Sequence, residues 1–279
     1  MTAAKALLLG LIQGIAEFLP ISSSGHLELF KNLLGLNEVP LLFDVILHLA
    51  TLLVVVIVFW KRIVSIVEAL WNFLFMKKEI PAKGISKTQK KKDEAHAESL
   101  AFVVPILIAT AITAVLGYAI EKFVPQGGTK AIAARMLIAA AILGLTAIAK
   151  PGTRGPGSIG PGRAAIIGFA QGLGVLSGLS RSGITISTGI FTGLERSTAG
   201  EFSFLLSIPA ILGAFILTLK DAGAMLNSVS YAQLALAFLT AFFSGLVALK
   251  FLMKIIKGGK LFWFAPYMFV VGLLGLILG

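Results

Sequence analysis

The stretch GLIQGIAEFLPISSSGH, residues 10–26, constrains this chain most. It carries Gln13, Glu17, Ser22, Ser23, Ser24 and His26 between flanks apolar enough for lipid. Ionisable groups at membrane depth are costly and mark functional sites by default. Pro20 and Gly25 bracket the serine run, so the backbone must leave the helix there. At membrane depth, irregular backbone is tolerated only when buried in protein or lining a wet cavity. The stretch therefore reads as one wall of a polar cavity inside a membrane protein. Composition agrees: 13% of residues are charged, against about 25% in a soluble domain.

A spanning helix needs about 20 apolar residues. Six segments qualify: 41–60, 100–120, 131–149, 199–219, 231–252 and 261–278. Two more, 3–34 and 164–194, are each split near the middle by a Ser/Gly cluster, and read as re-entrant hairpins of two half-helices. The net charge of +11 does not point to nucleic acid, because three connecting stretches hold most of it: 61–92, 150–163 and 250–260. Basic short loops mark the cytoplasmic side. With those inside, the first hairpin begins and ends outside, the second begins and ends inside, and both termini lie outside. The N-terminus lacks the basic start and cleavage site of a signal peptide and reads as part of the mature protein. Residues 76–98 read as a solvated cytoplasmic loop, and the Gly/Pro-rich segment 150–163 as a linker between halves 1–149 and 164–279. There is no Cys, so thiol chemistry and disulfides are excluded.

The second hairpin repeats the first. GFAQGLGVLSGLSRSGIT, residues 168–185, aligns without gaps on residues 10–27; Gly10, Gln13, Gly14, Ser22, Ser24 and Gly25 recur as Gly168, Gln171, Gly172, Ser180, Ser182 and Gly183. An odd number of spans per half inverts the second copy. The expected fold is thus an all-α polytopic membrane protein with six transmembrane helices and two re-entrant helical hairpins in an inverted-topology repeat. Such repeats place a site near the midplane where the halves meet.

Gln13 and Glu17 share a helix face. The serine runs then open new half-helices, whose free N–H groups suit an anion. Arg181 adds a planar guanidinium suited to phosphate, and has a second reading as ion-pair partner of Glu17. A carboxylate, an imidazole, hydroxyls and an Arg around one anion point to hydrolysis of a phosphate ester or anhydride. His48, four residues after Asp44, reads as a helix pair rather than a participant. Broken helices in inverted repeats also belong to transporters, so transport of a polyprenyl phosphate or another anion is the alternative class.

The motifs QGIAEFLPISSSGH (13–26) and SGLSRSGIT (177–185), with FDVILHLATL (43–52) and EFSFLLSIPA (201–210), resemble the undecaprenyl-pyrophosphate phosphatase family, the bacitracin-resistance type of lipid-carrier phosphatase. The resemblance implies removal of the terminal phosphate of a C55 polyprenyl diphosphate, recycling the carrier for cell-wall polymer synthesis. It also implies residence in the cell (inner) membrane, an active site opening to the outer face, a divalent cation (Mg²⁺ or Ca²⁺) and a homodimer. Gln13 stands at the first position of the family's acidic motif, where it has one charge fewer than Glu for metal binding. Ser177 stands where Pro is usual in the second box. On this basis Arg181, Ser180, Ser182, Gly183 and the amides of Ser22, Ser23, Ser24 and Gly25 are expected to bind phosphate, with Thr185 supporting the second loop. Ser23, or else Ser22, is the expected nucleophile, with His26 as base and then acid. Glu17, with Gln13, is expected to bind the cation or to orient the reacting groups. A water nucleophile activated by His26 and Glu17 would use the same residues.

Overall fold

A computed structural model describes residues 1–36, 41–75, 87–125, 127–218 and 229–278. Among them the chain is helical, apart from one isolated β-bridge between Arg154 and Leu194. The first broken pair is α1 (Ala3–Phe18) and α2 (Ser23–Leu33). Then come α3 (Leu41–Val58), α4 (Trp60–Phe75), α5 (Lys87–Phe123) and α6 (Thr129–Leu145). The second broken pair is α7 (Pro161–Leu173) and α8 (Arg181–Phe191), followed by α9 (Arg196–Thr218), α10 (Tyr231–Lys257) and α11 (Ala265–Leu278).

Four segments among the described residues are long and apolar enough to cross a membrane: Ala97–Phe123, Arg196–Thr218, Tyr231–Lys257 and Leu261–Leu278. The bent pair formed by α3 and α4 counts as a fifth where the two helices are taken as one broken span. Their outward faces carry Leu107, Val115, Phe243, Val247 and Ile277, all exposed. Helices apolar outside as well as inside suit lipid as the solvent.

Several segments differ from expectation. The predicted span 41–60 ends at Val58, where the chain turns by 76° into α4. Residues 60–75, expected to open a basic connection, form a helix instead. Arg62 of that helix is held by Glu201 at 2.6 Å, and Trp71 packs on Phe75 with ring centroids 4.4 Å apart. The predicted span 131–149 is the 17-residue α6, about 25 Å long at 1.5 Å per residue. It stops where the Thr146 hydroxyl donates back to the Leu143 carbonyl at 2.6 Å, shortly before Pro151. Of the hydrophilic segment 76–98, residues 76–86 lie outside the described residues, and the rest is the start of α5. In the 150–163 linker, Pro161 already opens α7, a position where its missing N–H costs nothing.

The helices meet by close approach of small residues, which is how helices pack when lipid competes equally for apolar side chains. α1 lies along α10 and α7 lies along α5. A Cβ on Gly10 would come within 2.3 Å of the Ala237 carbonyl oxygen, and one on its repeat twin Gly168 within 2.6 Å of the same atom of Ala109. The repeated glycines are thus repeated contacts, and they carry both helix breaks into the middle of the protein.

Candidate active site

Each break is closed by a serine. Ser22 caps α2 with φ 70°, and Ser180 caps α8 with φ 57°. These repeat twins are the non-glycine residues at positive φ among the described residues. Such a conformation costs of order 1–3 kcal/mol and persists only where its surroundings enforce it. Here the enforcement is a cap: Ser22 Oγ accepts from the Gly25 N–H, and Ser180 Oγ from the Gly183 N–H, each at 3.3 Å.

The two tips also grip each other. Ser22 Oγ accepts a second bond, from the Gly178 N–H at 3.0 Å, and Ser182 Oγ donates to the Phe18 carbonyl at 3.2 Å. The repeat position of Gly178 is Pro20, which has no N–H to return the bond. Thr185 lies buried behind the second tip, donating to the Arg181 carbonyl at 2.8 Å and in hydrogen-bond contact with Ser203.

Between the tips sits Glu17, its side chain only 4% exposed. One carboxylate oxygen, Oε1, meets the Arg181 guanidinium. The other, Oε2, accepts from Ser23 Oγ at 2.7 Å and from Gln13 Nε2 at 3.1 Å, and lies 3.4 Å from His48 Nε2. Ser23 and Arg181 occupy the same repeat position, whereas the position matching Glu17 holds Val175. One carboxylate therefore serves both halves. A cavity of about 260 Å³ opens onto this group, lined by Glu17, Ser23, Ser24, Ser180, Arg181 and Ser182 among others. A hydroxyl hydrogen-bonded to a buried carboxylate, beside an arginine and two helix N-termini, is equipped to take a proton from the hydroxyl and to neutralise an anion.

The structure places Glu17, Ser22, Ser23, Ser24, Gly25, Ser180, Arg181, Ser182 and Gly183 at the two facing tips. Ser22 has both lone pairs committed to backbone N–H groups. His26 is not brought to Ser23. Its Nδ1 lies 2.9 Å from the Ser22 carbonyl, so Nδ1 donates; its Nε2 lies 2.7 Å from the Tyr267 hydroxyl, over a ring stacked at 5.7 Å. Tyr267 is 241 positions away, and no local pattern marks it. His48 pairs with Asp44 as expected of a helix pair, but not through the Asp44 side chain. Instead its Nδ1 meets the Asp44 backbone carbonyl at 2.8 Å, and the Asp44 carboxylate takes Lys31 at 2.5 Å. The available signal was an imidazole in the middle of an otherwise apolar span.

Glu17 and Gln13, the expected cation ligands, are engaged by contacts within the protein. Three donors already face the two carboxylate oxygens, with His48 Nε2 beside them at 3.4 Å, and Gln13 turns its amide nitrogen toward them. No cluster of three or more His, Cys, Asp or Glu residues suited to a metal exists among the described residues.

An all-helical, multi-pass membrane protein with a buried polar cluster where two broken helices meet is the class these observations define. Within it the chain belongs to the bacitracin resistance protein BacA family, whose model matches residues 6–274. It is 42% identical over 273 residues to the undecaprenyl-diphosphatase of Treponema denticola, covering 98% of this chain and 96% of that one. It is 39% identical over 280 residues to the undecaprenyl-diphosphatase of Desulforapulum autotrophicum, with 99% and 98% covered. A protein of the same name from Korarchaeum cryptofilum is 38% identical over 277 residues, with 98% of each covered.

Proposed function

We propose that this chain is an undecaprenyl-diphosphatase that hydrolyses a polyprenyl diphosphate to the monophosphate and inorganic phosphate. One observation carries the chemistry: Ser23 Oγ donates to Glu17 Oε2 at 2.7 Å while Arg181 holds the other oxygen. In the proposed first step Ser23 Oγ bonds to the terminal phosphorus and its proton passes to Glu17. The bridging P–O bond breaks, and its electron pair leaves with the prenyl monophosphate. Water then attacks the phosphoserine, releasing phosphate and restoring the hydroxyl. Arg181 swings from the carboxylate to the equatorial phosphoryl oxygens as charge builds there. Ser180, Ser182, Ser24 and the amides at the two tips bind the remaining oxygens.

The proposed frame is the inverted repeat: units 1–149 and 164–279, six spans, and two re-entrant hairpins entering from opposite faces. The paired breaks, the twin positive-φ serines and the paired close contacts at Gly10 and Gly168 support it. On the positive-inside pattern both termini lie outside the inner membrane and the site opens outward. We also propose that Mg²⁺ or Ca²⁺ arrives bound to the diphosphate, since Glu17 and Gln13 are occupied by other contacts. A homodimer is proposed on the family resemblance alone. Transport of a polyprenyl phosphate is the second reading, favoured by the same paired breaks.

Phosphate release from a C15 or C55 diphosphate by detergent-purified protein, with and without Mg²⁺ or Ca²⁺, tests this against transport, which needs two sides of a membrane. Release that is lost in Glu17→Ala, with phosphoserine trapped at Ser23, is expected. Full activity in Ser23→Ala would sink the serine route.

A further inference from the structure

The serine route leaves a proton with nowhere to go. Attack by Ser23 delivers it to Glu17, which is sealed among its donors. For Glu17 to act as base again in the second step, taking a proton from water and returning one to the serine, it must first be ionised again. Each turnover releases one net proton, and by this route it leaves from Glu17 before water attacks. Arg181 has no acceptor lone pair, and neither does the Gln13 amide nitrogen.

We propose that His48 is the positioning residue that takes this proton from Glu17 and passes it out of the site. The inference rests on the phosphatase reading above. The Asp44 backbone carbonyl can only accept, so the nearby Nδ1 of His48, at 2.8 Å, must carry a hydrogen. Neutral His48 therefore has its lone pair on Nε2, the atom 3.4 Å from Glu17 Oε2. Glu17 Oε2 is also the oxygen that receives the Ser23 proton. Ser23, Glu17 and His48 thus form a line through one oxygen atom. His48 is 28% exposed where Glu17 is 4% exposed, so the proton moves toward water. The ring also stands in the wall shared by the reaction cavity and a second cavity of about 380 Å³.

The groups that face His48 fit this direction of transfer. α1 contributes Glu17, which is neutralised by Arg181 of α8. Glu28 and Lys31 of α2 line the second cavity, and Lys31 is paired with Asp44 of His48's own helix. α9 presents only the apolar Ile211 and Ala214 there, while its Glu201 is taken by Arg62 of α4. Residues 232–249 of α10, which also packs on α3, include no titratable side chain. The acidic pair Glu28 and Asp44 leaves the second cavity able to accept a proton from the imidazolium.

His48→Gln separates the two things a histidine does here. Its amide keeps a polar group beside Glu17 Oε2, but it cannot take up a proton. In rapid-mix assays with C15 diphosphate, the variant is expected to release a burst of about one prenyl monophosphate per protein. It should accumulate phosphoserine at Ser23, and its steady phosphate release should slow roughly 10²-fold, the usual scale for acid–base assistance. A merely structural role would lower the burst and the steady rate together. His48→Asn, checked for monodisperse elution in detergent, replaces it if the Gln variant does not fold. Parental turnover in the variant, or slow turnover without the burst, overturns the proposal. A parent that releases no phosphate overturns the phosphatase reading itself, and this inference with it.

Discussion

Replacing Glu17 by Gln changes one oxygen for nitrogen and should stop turnover while leaving the fold standing. The carboxylate accepts on both sides: from Arg181 on Oε1, and from Ser23 and Gln13 on Oε2. An amide accepts on one side only. The cationic guanidinium has the stronger claim, so the amide oxygen turns to Arg181 and its NH₂ group turns to Ser23. The serine hydroxyl must then accept where it donated, and its proton points away from any base. A charge-assisted hydrogen bond contributes about 1.5–3 kcal/mol and a neutral one about 1 kcal/mol, so stability should fall by about 1–2 kcal/mol. For a chain of this size that is a Tm decrease of a few degrees in detergent. Loss of the base should lower kcat by about 10²–10⁴. KM should hold or fall, because removing a negative charge beside an anionic substrate does not weaken binding. Phosphate release over a range of C15 diphosphate concentrations, with thermal unfolding in the same detergent, checks all three. A Glu17→Gln variant keeping more than about a tenth of parental kcat would refute the assignment of this carboxylate as the proton acceptor.

Two further substitutions separate neighbouring residues. Ser22→Ala removes a cap and a cross-tip bond at once, and should cost about 1–3 kcal/mol of stability; Ser23→Ala should leave the unfolding temperature nearly unchanged and abolish phosphate release, so melting curves and turnover should rank the two in opposite order. Tyr267→Phe leaves His26 Nε2 without its donor, and should cost about 1–3 kcal/mol while turnover stays within a few-fold of the parent; a loss of activity near that of Glu17→Gln would return His26 to the chemistry.

What was legible in the sequence was whatever local chemistry dictates. Pro20 and the serine runs announce their breaks because proline cannot continue a helix and serine caps one. The gap-free match of 10–27 on 168–185 aligns Gly10 with Gly168, which the structure shows to be twin close contacts, and Ser22 with Ser180, which share a strained backbone. Contacts between distant segments were not legible. Lys61 and Arg62 look like a basic connection until Glu201, 139 positions on, is seen to hold Arg62 within a helix. His26 and His48 illustrate the same limit. Each places Nδ1 on the carbonyl four residues earlier, so within its own helix turn each has the same hydrogen bond and the same free Nε2. Helix packing alone distinguishes them: α11 brings a phenol to the first, and α1 brings a carboxylate to the second. An acceptor facing a tyrosine hydroxyl is satisfied, whereas one facing a carboxylate that is about to be protonated is a base in waiting. The proximity of His26 to the serines in sequence therefore says less about proton transfer than the proximity of His48 to Glu17 in space.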